Sequence, residues 1–352
     1  MKTPDLYIAG LGVHVPTVLD ARRAVELGLY DPEDHEYQGW TGAAVAGDTP
    51  APHMAVRAAR QAIERAGTHP HDLALHIHAG MHKQGPGAWS AQHYVLRHVT
   101  DRDIPSYQVS QGCNGLIGSL ELAACHLLAV PERVAALVTG SDNVSAPHFN
   151  RWASLENGVI ADGASAVVLT KEPGFARLLS INSGSTAEVE ERFRDEEFPP
   201  VTGVDAEDRP VTAAPLDEAV SEAVGRQGEL RTELALRTMA EADLDVGDIT
   251  RVAHIFTGRE GYLKGILDPI GLRTEQGLLE FGRGLGHMTV NDQIVGLNHL
   301  VTMREVDAGD HVLIVAHGGG VSITCAVVRI EHVPSWAVGQ TPARVSRFCG
   351  VL

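Results

Sequence analysis

The sequence has few cysteines, few lysines and a shortage of positive charge. Its four cysteines stand at positions 113, 125, 325 and 349, without a CxxC pair. Such spacing argues against a disulfide framework or a zinc module, and a reducing cytoplasm is the expected location. The formal net charge is −17, so neither nucleic acid nor an anionic membrane surface is expected to be the main partner.

Long apolar runs are missing as well. No stretch approaches the roughly 18 apolar residues of a membrane helix, and the chain does not start with a charged-then-apolar leader. Gly10-Leu-Gly12 lacks the third glycine of a dinucleotide fingerprint, and neither a Walker sequence nor a Gly-x-Ser-x-Gly elbow is present. His76 and His78 lie two apart on one predicted strand, Leu73–Ala79, which contains no carboxylate or cysteine. We therefore expect no membrane anchor, no cofactor and no metal.

The pattern of strands and helices repeats in the two halves of the chain. With 352 residues, 44% of them hydrophobic, the chain is long enough for one large or two fused domains. The boundary that we predict lies near Glu172-Pro173-Gly174 and separates residues 1–172 from residues 173–352. Strands alternating with helices predict an α/β protein with largely parallel sheets under outer helices. Residues 187–215 predict a long surface loop, either a flap over a pocket or a plain insertion.

Cys113 lies between a predicted strand and a predicted buried helix, in the segment Gln111-Gly112-Cys113-Asn114-Gly115. Residues 104–110 predict a short strand, and residues 116–130 are too long for a strand and too apolar for a surface helix. The amides and the dipole at a helix start stabilise negative charge, which favours a nucleophilic thiolate. A small buried cysteine without a chemical role is the alternative.

Several segments carry a family resemblance. In order along the chain they are Met54–Gly67, Tyr107–Leu116, Ile160–Leu169, Ala316–Gly320 and Ser322–Ile330. Together they resemble the ketoacyl-acyl carrier protein synthase III family, which has the thiolase fold. The resemblance implies a pseudo-duplicated, five-layered αβαβα fold and a homodimer. It also implies that Cys113 is the nucleophile and that the backbone amides of Cys113 and Gly319 form an oxyanion hole.

Two departures from the family pattern affect the expected chemistry. Decarboxylating members use a histidine and an asparagine to stabilise an enolate oxygen. Here His254 keeps the histidine, Thr257 replaces an asparagine three residues later, and His287 stands where the second asparagine would be. Because losing an enolate-stabilising donor typically costs several kcal/mol, decarboxylative condensation is disfavoured.

The second departure supplies a base. Cys113, His287 and Asp292 have the residue types of a nucleophile, a general base and an orienting carboxylate. Imidazole suits the base because its ordinary pKa lies near neutrality. Asp292 is equally compatible with a simple helix cap. His254 and Asn291 are candidates for the pocket wall, although a packed His254 is the stronger expectation.

This pattern resembles a divergent acyltransferase branch of the family in antibiotic pathways. We expect an acyl group to move from a coenzyme A or carrier-protein thioester, through Cys113, to a hydroxyl, amine or thiol acceptor on a small molecule or a carrier. The alternatives are a starter-unit condensing enzyme that uses His254 with His287, and a catalytically quiet partner subunit. Arg251, Arg259 and Lys264 are candidates for a basic docking rim.

Overall fold

The computed structural model describes residues 1–145, 149–153, 158–188, 190, 218–319 and 321–337. The strands are β1 (Tyr7–His14), β2 (Thr17–Asp20), β3 (Gly42–Val45), β4 (Leu73–Ala79), β5 (Ser106–Val109), β6 (Ala135–Asp142), β7 (Gly163–Thr170), β8 (Ala176–Ser185), β9 (Ile249–Ala253), β10 (His311–Gly318) and β11 (Ser322–Ile330). The α-helices are α1 (Ala21–Glu26), α2 (Pro32–Gln38), α3 (Ala51–Ala66), α4 (Ala91–Val99), α5 (Gly115–Leu128), α6 (Glu218–Glu241), α7 (Glu260–Leu267), α8 (Leu279–Arg283) and α9 (Asp292–Thr302).

The strands form a mixed sheet in the order β5-β4-β6-β7-β1-β8-β11-β10-β9, with β2 and β3 paired separately. The two halves of this sheet meet through a short pairing of Tyr7 and Ile8 with Arg177 and Ala176. Strand β4 runs parallel to β5 and β6, and β9 runs parallel to β10. The other neighbours in this sheet are antiparallel, so the expectation of largely parallel sheets is wrong. The reason is visible at β10 and β11, which a tight turn connects directly, and such a turn forces antiparallel pairing.

Three buried clusters define five layers. The central cluster packs α5 and α9 between the two parts of the sheet and includes Ile77 and Val138 from one part with Ile314 from the other. A second cluster packs α3 on the outer face of β6 and β7. A third packs α6 and α7 on the outer face of β10 and β11. The expected αβαβα thiolase-like fold is confirmed.

Gly10 and Gly12 have a packing role. Strand β1 lies so close to α3 that a Cβ on Gly12 would come within 1.8 Å of the Ala58 carbonyl oxygen, and one on Gly10 within 2.1 Å of the Ala62 oxygen. Only glycine allows this contact. The Gly10-Leu-Gly12 motif therefore fixes a helix against a strand.

Most predicted elements recur with shifted ends. Strand β4 spans Leu73–Ala79, and strand β9 ends at Ala253, which leaves His254 in a loop. Cys325 is buried on β11, whereas Cys125 is exposed on α5. The segment 187–215 lies almost wholly outside the described residues.

Within the described ranges, no helix is both long and apolar enough to cross a bilayer.

Candidate active site

A chain of contacts joins the three residues that the sequence singled out. The Sγ atom of Cys113 lies 2.8 Å from Nε2 of His287. On the other side of the same ring, Nδ1 of His287 lies 2.6 Å from Oδ2 of Asp292. The sulfur is half-buried, and both partners are buried. These distances are those of a nucleophile hydrogen-bonded to a base that a carboxylate orients.

The two central helices bring these side chains together. Cys113 follows Gly112, which has a left-handed φ of 53°, and α5 begins two residues later at Gly115. His287 precedes α9 and is held by its own backbone, which donates to the Val159 carbonyl at 2.8 Å and accepts from the Ala161 amide at 2.7 Å. The base is therefore anchored on the first half of the chain, next to the nucleophile.

Asp292 is more than a helix cap. Its carboxylate is fully buried. Besides the ring of His287, it accepts the backbone amides of Phe256 at 2.7 Å and Met288 at 2.7 Å. Asp292 is the first residue of α9, but the donors to its carboxylate lie outside that helix. They are His287, Met288 and Phe256, the last of these in the loop after β9. Each oxygen of the carboxylate accepts at least one hydrogen bond, and the carboxylate fixes His287 with Nδ1 as the donor.

A second buried carboxylate, Asp142 at the end of β6, holds the His287 turn from the other side. Thr289 donates its hydroxyl to Oδ2 of Asp142 at 2.6 Å, and the Met81 amide donates to Oδ1 at 2.9 Å. Thr289 has a positive φ of 56°, a backbone conformation that costs free energy for a β-branched residue. Such a conformation is found only where the surrounding contacts hold the residue in it. Sequence reasoning missed both residues, because no motif links a strand end to a turn so distant in the chain.

Asn291 braces the same turn and does not line a pocket. It is fully buried, accepts the hydroxyl of Ser165 at 2.8 Å, and donates to the Met288 carbonyl at 3.0 Å. The expectation that Asn291 lines the pocket is therefore wrong, since both ends of its amide bind protein groups. Asp162, in the segment before β7, accepts the amides of Ala46 and Val144, each at 2.8 Å.

His287 is set to carry a proton. Burial alone would lower its pKa, but the sulfur of Cys113 and the carboxylate of Asp292 together outweigh burial and raise the pKa well above 6.5. For Asp142, burial raises the pKa to about 7 despite the hydrogen bonds from Thr289 and Met81. The imidazolium form of His287 is thus stabilised when the thiol next to it is ionised.

His254 is a packed histidine that does not reach the sulfur. Its Nδ1 donates to the Ile255 carbonyl at 2.6 Å, and its Nε2 accepts the Leu278 amide at 2.9 Å. Burial lowers the pKa of His254, so the ring is neutral. Since a neutral ring has one N–H, which Ile255 takes, His254 has no proton to offer a substrate. The expectation that it lines the pocket is wrong, and the stronger expectation of a packed ring describes it.

The turn between β10 and β11 lies against the nucleophile segment. A Cβ on Gly318 would come within 2.2 Å of the Gln111 carbonyl oxygen and 2.7 Å of the Cys113 amide nitrogen. Gly319, with a φ of 56°, has its amide nitrogen only 3.0 Å from where a Cβ on Gly112 would lie. The amides of Cys113 and Gly319 therefore belong to two adjoining turns, and glycine is required for their approach.

Two other groups from the sequence have structural partners. The ring nitrogens of His76 bond Ser106 and Thr139, each at 2.9 Å, and Nδ1 of His78 bonds Thr139 at 2.9 Å. Among the described residues, no cluster of three or more His, Cys, Asp or Glu side chains has metal-site geometry.

The basic side chains considered for docking lie in separate contacts. Arg251 pairs with Glu305 at 2.5 Å, and Lys264 pairs with Glu260 at 2.8 Å. Arg259 lies over a tyrosine ring. The charges of Arg251 and Lys264 are each matched by a neighbouring carboxylate, which weakens the expectation of a basic docking rim.

Comparison with known proteins identifies relatives of the whole fold. Residues 239–330 match the family described as 3-oxoacyl-[acyl-carrier-protein] synthase III, C terminal. ChlB3, described as an acyltransferase, is 40% identical to this chain and superposes with a TM-score of 0.87, covering 95% of this chain and 100% of its own. The β-ketoacyl-[acyl-carrier-protein] synthase III of Sulfurovum sp. is 22% identical over 93% of this chain and 97% of its own.

Two more distant structures share the fold. The 3-oxoacyl-[acyl-carrier-protein] synthase III of Aquifex aeolicus has a TM-score of 0.76 at 19% identity, covering 92% of this chain and 99% of its own. OleA of Xanthomonas campestris, with bound lauric acid and lauroyl-CoA, has a TM-score of 0.74 at 17% identity, covering 93% and 99%.

The fold and the comparisons define a thiolase-fold enzyme of the acyl-transferring or condensing type. The chain belongs to the 3-oxoacyl-[acyl-carrier-protein] synthase III family.

Proposed function

We propose that this protein is an acyltransferase that does not decarboxylate its donor. It takes an acyl group from a coenzyme A or carrier-protein thioester onto Cys113. It then passes the group to a hydroxyl, amine or thiol acceptor in polyketide or antibiotic biosynthesis. The observation that carries this proposal is the contact chain from Cys113 through His287 to Asp292, at 2.8 and 2.6 Å.

The first half-reaction forms the acyl-enzyme. The Cys113 sulfur, paired with protonated His287, attacks the thioester carbonyl, and a carbon–sulfur bond forms. The carbonyl oxygen becomes an oxyanion, which the amides of Cys113 and Gly319 stabilise in this proposal. The bond to the donor sulfur then breaks, and the leaving thiolate takes the proton from Nε2 of His287.

Acylation itself turns His287 into a base. The Cys113 sulfur is one of the two groups that raise the pKa of His287. A thioester sulfur carries no charge, so this contribution disappears in the acyl-enzyme and the pKa of His287 falls. The neutral ring then removes the proton of the acceptor as the acceptor attacks the acyl carbon. Cys113 leaves as a thiolate, and the thiolate–imidazolium pair is restored.

The bonding of His254 argues against the condensing alternative. A condensing enzyme needs donors aimed at the enolate oxygen that forms when carbon dioxide leaves. The one N–H of His254 is taken by Ile255, and its other nitrogen accepts from Leu278. His287 is therefore the imidazole next to the sulfur that can transfer a proton. His254 does not supply the second donor that an enolate site needs.

A homodimer forms part of the proposal. Strand β5 lies at one edge of the large sheet and leads directly to the Cys113 segment. Tyr107 on this strand is 57% exposed, which is unusual for an aromatic side chain on a sheet edge. We expect light scattering to give the mass of a dimer and Gln108→Pro, which blocks pairing at that edge, to give a monomer. A monomeric wild-type protein at micromolar concentration would contradict this assignment.

Intact-mass spectrometry after incubation with a panel of acyl-coenzyme A and acyl-carrier donors tests the function. The Cys125→Ser background removes the exposed thiol of α5, and peptide mapping locates the adduct. We expect an acyl adduct on Cys113, its loss in Cys113→Ala, and a malonyl donor that adds malonyl without releasing carbon dioxide. Carbon dioxide release with a lengthened ketoacyl product would instead establish the condensing function.

A further inference from the structure

The sulfur of Cys113 adjoins the apolar region between β10–β11 and the helices α6 and α7. Cys113 packs against the buried cluster that contains Leu263, Val315 and Ile323. An acyl group held on Cys113 therefore has this cluster as a neighbour. Pockets of this kind obtain their specificity from the few polar groups placed among apolar side chains. Two such groups stand out here, His317 and Arg231.

His317 lies on β10, directly before the Gly318 turn, and is cross-strand partner to Ile323. Because side chains alternate along a strand, it shares the face of Val315. The ring is 7% exposed, and its Nε2 lies 3.0 Å from the Tyr262 hydroxyl. Its Nδ1 is buried and has no hydrogen-bond partner in the described part of the chain.

The charge state of His317 is clear from its surroundings. Burial lowers its pKa to about 3, and Arg231, His287 and His254 act in the same direction. The ring is therefore neutral near pH 7, with one donor and one acceptor nitrogen. Buried polar atoms without a partner are rare in folded proteins, and the free Nδ1 is available to a ligand group.

Arg231 carries a positive charge that acts on this ring, and both residues contact α7, His317 at Tyr262 and Arg231 at Gly265. Arg231 lies on α6, and its guanidinium donates to the Gly265 carbonyl on α7 at 2.8 Å. Its Nε atom is buried without a hydrogen-bond partner, and the ion pairs found among the described residues include none with Arg231. Arg231 is half-buried, and a half-buried cation without a carboxylate partner is available to an anion.

We propose that His317 and Arg231 recognise a carboxylate at the far end of the acyl group on Cys113, so that the enzyme prefers half-acid acyl groups to plain alkyl ones. The inference rests on the proposed acyl-enzyme. Arg231 offers the carboxylate a charged donor, and Nδ1 of His317 offers a neutral one when its Nε2 accepts from Tyr262. No covalent chemistry beyond that of Cys113 is involved.

Succinyl- and butyryl-coenzyme A test the proposal, because both acyl groups have four carbons and differ at the end in a carboxylate or a methyl. The readout is the rate of acyl-Cys113 formation, measured by rapid-quench mass spectrometry. We expect wild type to react at least about 10-fold faster with the succinyl donor, since a site built for a polar group rejects the analogue that lacks it. Arg231→Met and His317→Leu should bring the succinyl-to-butyryl ratio close to one.

Arg226→Met is the matched control, since Arg226 is an exposed arginine on the same helix, and it should keep the wild-type ratio. Arg231→Lys and His317→Gln keep part of the polar character and serve where the apolar variants do not fold. A wild-type ratio of one, or a preference for butyryl, would overturn the inference and leave the proposed function standing. Failure of both donors to acylate Cys113 would contradict the proposed function and the inference with it.

Discussion

Replacing Asp292 by asparagine tests the orienting carboxylate without changing its size. The carboxylate accepts three hydrogen bonds, from His287 and Phe256 on Oδ2 and from Met288 on Oδ1. Asparagine has a single acceptor oxygen. If that oxygen takes the Oδ2 position, the NH₂ group faces the Met288 amide, donor against donor. The stranded amide costs about 1–3 kcal/mol of folding stability.

The effect on catalysis is larger than the effect on stability. Asp292→Asn removes one of the two groups that raise the pKa of His287, while burial continues to lower it. The pKa therefore falls, and the thiolate–imidazolium pair is lost at a lower pH than in wild type. We expect acyl exchange to slow by roughly 10³- to 10⁴-fold, as for a triad whose histidine loses its orienting carboxylate.

Exchange of isotopically labelled coenzyme A into an acyl-coenzyme A measures this half-reaction without an acceptor. The pH profile from about pH 6 to about pH 9 should show its alkaline limb moved to lower pH in Asp292→Asn. Asp243→Asn is the control, because that carboxylate is 82% exposed and pairs only with Lys2 among the ion pairs of the described residues. Exchange within threefold of wild type, with an unmoved profile, would refute the role of Asp292.

Three further predictions concern packing, positioning and acid stability. Gly318→Ala should lower the rate of acyl exchange by at least about 100-fold, because the added methyl group would collide with the backbone of Gln111 and Cys113. The control is Gly261→Ala on α7, which has open space around it and should leave the rate unchanged. Equal rates for the two variants would contradict this prediction. Thr289→Val removes the hydroxyl donor of the Asp142 carboxylate, which keeps the amides of Met81 and His82. It should lower the free energy of unfolding in urea by about 1–3 kcal/mol and slow acyl exchange; unchanged stability would exclude this brace. Stability should fall between about pH 7.5 and pH 5.5, by up to roughly 1.4 kcal/mol per pH unit for each histidine whose folded pKa is far below its unfolded value. These histidines are His76, His78 and His317.

The sign of the pH effect follows from proton binding. Below about pH 6.5 the unfolded histidines take up protons, but the folded ones, with pKa values of about 3 to 4, do not. Protons therefore favour unfolding. Asp142 and His287 oppose this, since their folded pKa values lie above their unfolded ones, but they are two groups against three. A flat stability between the two pH values would show that these rings are not buried neutral.

The sequence predicted the reacting residues better than their surroundings. A cysteine between a strand and an apolar helix and a histidine five residues before an aspartate are local patterns, and the structure joins them at hydrogen-bond distance. The partners of Asp142 and Asn291 are not local, because Thr289 is 147 residues from Asp142 and Ser165 is 126 from Asn291. No period or spacing carries such information.

The sequence pattern also failed to predict the direction of strand pairing and the orientation of the His254 ring. Alternating strands and helices predicted the layers, yet pairing direction depends on which strands a direct turn connects, as in β10 and β11. Whether His254 faced the sulfur depended on where β9 ends. Since the strand ends at Ala253, the ring turns to the Ile255 carbonyl and the Leu278 amide.

The central claim is that acyl transfer proceeds through Cys113 with His287 as the proton carrier. Rapid-quench mass spectrometry of the Cys113 peptide, compared with labelled coenzyme A exchange in the same sample, tests it most directly. The account predicts an acyl adduct that forms and decays at least as fast as exchange proceeds, and that persists in His287→Ala when coenzyme A is added. Exchange without an adduct, or an adduct that decays more slowly than exchange, would contradict it.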